Sequence, residues 1–166
     1  GVKRVARVPD GGGWRARGAG PLRHPDPGAG VACPRAAVDD RSRVAYAEPL
    51  GDERREACRG FVERARGFFR GVGVGVEGVM AGNGSGYRSR EFNEWLDAAG
   101  IRHVYTRPYG PWQNGRVERT SRAPAQEWQY ARAYGGDEER AGALPAFLGR
   151  YNWGRPHGAC GGLPPM

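Results

Sequence analysis

Large aliphatic side chains are scarce in this sequence. Leucine, isoleucine, valine and phenylalanine account for 25 of 166 residues. That is about 15%, below the ~20% at which a highly charged chain enters the disordered class. No apolar run approaches the roughly 18 residues a membrane span needs, and no basic-then-apolar leader opens the chain. Cysteine is confined to Cys33, Cys58 and Cys160, an odd number with no CxxC pair. This argues against a disulfide scaffold and a structural zinc site and for a reducing, cytosolic setting. Lysine is nearly missing too, since Lys3 is the only one.

Glycine (29) and proline (13) are abundant, at about a quarter of the chain together. Five Trp and seven Tyr supply apolar surface that the aliphatic count misses. The length suits one domain. Composition therefore excludes a membrane protein, a collagen and a disulfide scaffold, and leaves open a chain that folds poorly. The net charge is +8, carried almost wholly by arginine. It is concentrated in residues 1–25 (net +5) and 101–133 (net +4), with the remainder slightly negative. A high-GC coding bias explains arginine in place of lysine but not this clustering. Two basic blocks point to a polyanion, because guanidinium groups make two-pronged hydrogen bonds to phosphates.

The hydropathy pattern predicts an alternation of elements. VKRVARV (2–8) reads as a strand ending at Pro9, Asp10 and the glycines 11–13. A second strand ends at Val38, with Pro34 forced to an edge or bulge. VDDRSRVAYAE (38–48) reads as a turn and a third strand, Val44 and Tyr46 sharing a face. Asp52 is positioned to cap a helix whose stripe is Ala57, Phe61, Ala65, Phe68 and Phe69, stopped by Gly71. VGVEGVM (74–80) alternates as a strand. SREFNEWLDAAG (89–100) is the strongest helix signal, with Ser89 as cap, Phe92, Trp95, Leu96 and Ala99 on one face, and Gly100 beyond the end. IRHVYT (101–106) is a fifth strand, and 107–115 a loop. A helical pattern runs from Gly115 to about Tyr134 with Pro124 inside it, and a last one from Asp137 to Tyr151 with Pro145 inside it. Three strands joined by short turns predict an antiparallel meander, and the two that follow are separated by helices and predict parallel neighbours.

Three local patterns stand out: GNGSGYRS (82–89), RPYGPWQNGRVER (107–119) and YNWGRPHGACGGLPP (151–165). Singly they read as a turn, a rigid loop and a basic tail. In this order and spacing, together with VKRVARVPDGGGWR and VDDRSRVAYAE, they resemble the integrase-like DDE transposases of bacterial insertion sequences. The resemblance covers almost the whole chain, read as one catalytic core over residues 1–166. Because the first residue is Gly, the expectation is a core truncated at both ends, without its N-terminal helix-turn-helix region. The resemblance implies an α/β, ribonuclease-H-like fold: a mixed five-stranded sheet of three antiparallel and two parallel strands, flanked by helices.

The resemblance also implies a chemistry. Three carboxylates of such enzymes converge on two Mg²⁺ (or Mn²⁺) ions that drive in-line attack on a phosphodiester. Carried over residue by residue, Glu118 is the third carboxylate. The second precedes Asn83-Gly84-Ser85, where this chain has Gly82, and the 35 residues between 82 and 118 keep the spacing. The first falls on Gly1. One carboxylate remains where the mechanism needs about three. Asp39 and Asp40 match a structural acid at a turn rather than replacements, and Asn83 offers only a neutral amide oxygen.

DNA is the expected partner, contacted by Arg107, Tyr109, Gln113, Asn114, Arg116 and Arg119, while Arg155 and His157 line the same face or cap the last helix. The bland reading of the same charges is a solvated helix face. The sequence thus predicts a DNA-integration core impaired in phosphoryl transfer, located in the bacterial cytoplasm at the nucleoid. It would act as a homo-oligomer or with active transposase subunits, and without a membrane. The rival readings are a catalytically dead nucleic-acid-binding remnant and a poorly folded pseudogene product.

Overall fold

In a computed structural model, residues 5–12, 31–32, 34–49, 54–106, 127–128 and 131–166 are described. The strands are β1 (Val5–Ala6), β2 (Val31–Ala32), β3 (Arg35–Val38), β4 (Ala45–Glu48), β5 (Gly78–Ala81) and β6 (Arg102–Tyr105). The helices are α1 (Arg55–Gly71), α2 (Ser85–Arg88), α3 (Arg90–Ala98), α4 (Asp137–Gly142) and α5 (Leu144–Gly149), followed by a π-helical turn at Arg150–Gly154 and a 3₁₀ turn at Gly158–Cys160.

Strand pairing follows the expected sense. β1 pairs antiparallel with β2, β3 antiparallel with β4 (Val38 opposite Ala45), and β5 parallel with β6 (Gly78 opposite Arg102). The expected five-stranded sheet needs correction, because the described residues form three separate two-stranded ladders. Pro34, which has no N–H, falls between β2 and β3. The Val8 N–H donates to Asp137 Oδ1 at 3.0 Å, so β1 ends after two residues rather than running to Val8.

Side-chain alternation along β3 and β4 explains the layering. Ala37 and Tyr46 face α1, packing against clusters that include Phe61, Ala65 and Phe69, while Val38, Ala45 and Ala47 face α5 and its Leu144, Phe147 and Tyr151. Helices therefore lie on both faces of the β3–β4 pair. On the other side of α1, Cys58, Phe61 and Val62 meet Ala81, Tyr87, Phe92, Leu96 and Ile101 in the principal cluster. Aromatic edges fill part of what the missing aliphatics leave, as in the 5.4 Å T-shaped contact of Tyr87 with Phe92.

The helix signals fared unevenly. Ser89 caps α3 as expected, its hydroxyl accepting from the Phe92 N–H at 3.3 Å. Gly100 takes φ +67°, and the Ile101 N–H returns to the Leu96 carbonyl at 2.9 Å, closing the helix. The Asp52 cap lies outside the described residues. The 74–80 strand starts only at Gly78, because Val74 and Val76 turn into the cluster beneath Phe69 instead of joining a ladder. Residues 131–134 are not helical, correcting the extension to Tyr134: the Tyr134 hydroxyl donates to the Trp128 carbonyl at 2.6 Å and folds the chain back. The last helix is broken at Ala143, since Pro145 is tolerated only in the first turn of a new helix.

Candidate functional site

The candidate site begins where β5 ends. Ala81 is buried in the principal cluster, and the next residue, Gly82, is half-buried at the mouth of the β5–β6 pair. Its φ lies outside the left-handed region, and no described heavy atom lies within 4 Å of an ideal Cβ there. Asn83 Nδ2 donates to the Thr106 carbonyl at 2.8 Å, tying the ends of β5 and β6 together. The carbonyl acceptor settles which end of the amide faces Thr106. Gly84 and Ser85 then open α2, whose Tyr87 is buried. The sequence pattern read as a turn is thus a strand end, a cross-strand tie and a helical turn.

The two neighbouring acids of the β3–β4 connection are used locally. Asp39 Oδ2 accepts from the Ser42 N–H at 2.7 Å and the Ser42 hydroxyl at 2.8 Å, and Asp40 pairs with Arg43 at 3.2 Å. These bonds close a turn in which Arg43 adopts φ +66°. This is the structural acid that the sequence anticipated.

Arg155 and His157 belong to a different environment. The Arg155 guanidinium pairs with Glu127 and lies 6.0 Å from the Tyr151 ring centroid. His157 stands edge-on to Tyr151 at 4.6 Å, its Nε2 3.3 Å from the Tyr151 carbonyl. Glu127, Phe147, Arg150, Tyr151, Gly154 and Arg155 line a half-open cleft of about 240 Å³. Of the other sequence candidates, Gly1, Arg107, Tyr109, Gln113, Asn114, Arg116, Glu118 and Arg119 lie outside the described residues.

Sequence reasoning missed one polar cluster. His103 Nδ1 lies 2.7 Å from Asn93 Oδ1, which also accepts from the Tyr105 hydroxyl at 2.8 Å, while Asn93 Nδ2 donates to the Ser89 carbonyl at 2.8 Å. His103 packs 4.1 Å from Tyr105, and burial pushes its pKa below the ordinary value against a smaller opposing pull from Asp97. His103 and Tyr105 share one face of β6, but Asn93 comes from α3, so no pattern within one segment marked the cluster.

The chain matches the Integrase core domain twice, over residues 24–111 and over residues 99–165. It belongs to the integrase core domain family. No match was found among curated proteins. Among solved structures, the fold is similar to a chain of the simian T-cell lymphotropic virus intasome in complex with PP2A regulatory subunit B56 gamma. That match has a TM-score of 0.67 and 21% identity, over 83% of this chain and 48% of the viral one. This chain therefore spans about half of that relative's length. The fold is also similar to the HTLV-2 integrase catalytic core domain in complex with magnesium (trimeric form), with a TM-score of 0.61 and 18% identity over 81% and 82% of the two chains. The integrase core is thus an α/β, ribonuclease-H-like fold, as the motif order implied.

The described residues of this integrase core do not fit a divalent cation. Gly82 has no side-chain oxygen, Asn83 (its nitrogen bonded to Thr106) brings only a neutral amide oxygen, and the Asp39 and Asp40 carboxylates are held in their own turn. No group of three or more His, Cys, Asp or Glu among the described residues could hold a metal ion.

Proposed function

We propose that this chain is a DNA-integration core of the transposase type that contacts DNA through the arginine-rich segment around Glu118 and has lost metal-dependent phosphoryl transfer. Gly82 carries this reading. It stands at the end of β5, directly before Asn83-Gly84-Ser85, and offers no ligand where the resemblance to insertion-sequence transposases calls for a carboxylate. With Gly1 on the first position, Glu118 alone cannot assemble the charge that two Mg²⁺ or Mn²⁺ ions require. The net charge of +8 supports a polyanion partner.

The finer architecture we propose is one mixed five-stranded sheet in which β2 and β3 count as a single strand interrupted at Pro34. It is supported by the packing of Ala37, Tyr46 and Val79, from β3, β4 and β5, against the same buried cluster. We place its action in the bacterial cytoplasm at the nucleoid, as a homo-oligomer or together with active transposase subunits. The test pairs two assays on the purified chain. Retention of duplex DNA at low salt, weakening as salt rises, is expected, and absence of binding at low salt removes the DNA-contact reading. No Mg²⁺- or Mn²⁺-dependent nicking of end-sequence DNA is expected, and cleavage abolished by Glu118→Gln overturns the loss of chemistry.

A further inference from the structure

His103 ties β6 to the joint between α2 and α3, and the tie has a fixed polarity. Asn93 Nδ2 donates to the Ser89 carbonyl at 2.8 Å and to the Tyr87 carbonyl at 3.3 Å, so Oδ1 is the end that faces β6. That oxygen accepts from the Tyr105 hydroxyl at 2.8 Å and lies 2.7 Å from His103 Nδ1. An amide oxygen cannot donate, so Nδ1 carries the proton of the neutral imidazole and Nε2 is left as a bare acceptor. Nε2 is buried and has no partner among the described residues. A neutral ring tolerates this, because only a lone pair goes unused. An imidazolium does not, since it sets a second, charged N–H where neither bulk water nor a described acceptor reaches it. Protonation strengthens the bond to Asn93, but sealing the charge costs more, and burial holds the His103 pKa below its ordinary value. The surroundings do little to offset that cost. Asp97 of α3 favours the charged ring by less than burial opposes it, while β5 presents Val79 and Ala81 on that face, α2 the Tyr87 carbonyl and β6 the Tyr105 hydroxyl.

We infer that His103, Asn93 and Tyr105 form a protonation-sensitive latch between β6 and the α2–α3 joint, closed by the neutral imidazole and opened when Nε2 gains a proton. Opening turns the ring away from Asn93, whose Oδ1 then keeps only Tyr105 of its two partners on β6. The strand itself stays in place. It remains paired with β5 from Arg102 to Tyr105, and Thr106 is held by the Ala81 carbonyl at 3.1 Å and by Asn83 at 2.8 Å. What loosens is α2 and the first turn of α3. The α2 helix is four residues long and has no capping side chain at its start, so it has little helical stability of its own once the bridge to β6 weakens. The latch uses no residue assigned to DNA or to a metal, and it stands or falls independently of the functional reading.

The test is amide hydrogen exchange of the full chain at about pH 7 and about pH 5.5, corrected for the intrinsic rate, with the His103 ring nitrogens followed by NMR. Long-range proton–nitrogen correlations are expected to show the Nδ1–H tautomer at the higher pH, and the Nε2–H tautomer overturns the latch. Amides of residues 85–93 are expected to exchange up to about tenfold faster at the lower pH, the limit that one proton sets over one pH unit, and β5 amides to change less. Equal acceleration in β5 and in 85–93 assigns the effect to global unfolding and overturns the latch, as does no acceleration. His103→Gln keeps a donor for Asn93 and removes the titration, so its 85–93 protection is expected to be the same at both pH values. Acid loosening that persists in this variant overturns His103 as the trigger. Asn93→Asp sets a carboxylate against the ring and is expected to raise the His103 pKa and abolish the loosening. Loosening unaltered in a folded Asn93→Asp chain overturns the Asn93 contact.

Discussion

The Asn152 side chain pairs with both backbone groups of Ala45, 107 residues away. The Ala45 N–H donates to Asn152 Oδ1 and Asn152 Nδ2 donates to the Ala45 carbonyl, each at 2.8 Å and buried. Ala45 lies opposite Val38 in the β3–β4 ladder, so these groups face the outer edge of β4. A side-chain amide thus closes the edge as a further strand would. The Met166 N–H in turn donates to the Asn152 carbonyl at 2.9 Å, fastening the C-terminal residue to the same point.

Replacing Asn152 with alanine leaves both Ala45 groups buried and unpaired. The expected loss is about 2–4 kcal/mol, read from urea unfolding. Asn152→Asp retains the acceptor but sets a carboxylate against a carbonyl, so it is expected to be destabilised as well. An aspartate variant as stable as the parent would refute the two-pronged pairing.

Leu96 is completely buried between α1 and β5, whereas Met80, on the outer face of β5, is 47% exposed. Leu96→Ala is expected to cost about 2–5 kcal/mol and Met80→Ala less than about 0.5 kcal/mol. Equal costs in denaturant titrations would mean that the principal cluster is not packed as described.

The His103 environment sets a pH dependence. Its folded pKa lies below the unfolded value of about 6.5, so the unfolded chain binds more protons as the solution is acidified. This contribution to stability is present above that value and is lost as pH falls through it towards the lower folded pKa. Protonation would also place a donor on the buried Nε2, which has no partner among the described residues. Unfolding free energies measured between pH 8 and pH 5 are expected to fall on the acid side, and His103→Phe is expected to flatten that segment of the curve. A parent curve that the substitution leaves unaltered would exclude His103 as its source.

For DNA binding, each phosphate contact contributes about 0.9 to the slope of log affinity against log salt. Replacing Arg107, Arg116 and Arg119 together with alanine is expected to lower that slope by about 2.7 in fluorescence-anisotropy titrations. An unchanged slope would return these arginines to the solvated helix face that their charge alone also permits.

Much of the site was legible because its signals are local. Ser89, the Phe92–Trp95–Leu96 stripe and Gly100 defined α3 within a dozen residues, since a cap, an apolar face and a left-handed stop each act over one or two turns. Asn83-Gly84-Ser85 was picked out as a pattern, which ends β5 and opens α2, and Asp39 was recognised as a turn acid from VDDRSR, where it bonds Ser42. The His103–Asn93–Tyr105 cluster was not legible, because each member looks ordinary in its own segment.

By itself the sequence determined the order of elements, the sense of strand pairing and the family. Periodicity, caps and motif spacing are properties of contiguous residues, and the chain carries them before it folds. Only the tertiary structure decided where the ladders stop, because Val8 takes its partner from Asp137 and Ala45 takes both of its partners from Asn152. Only it decided that a side chain at residue 82 would meet no described atom within 4 Å, whereas one at residue 78 would press to 3.2 Å from the Arg102 carbonyl. The physical reason is that buried hydrogen bonds and steric room depend on groups more than a hundred residues apart, or on separate strands, and no local pattern records which of them will meet.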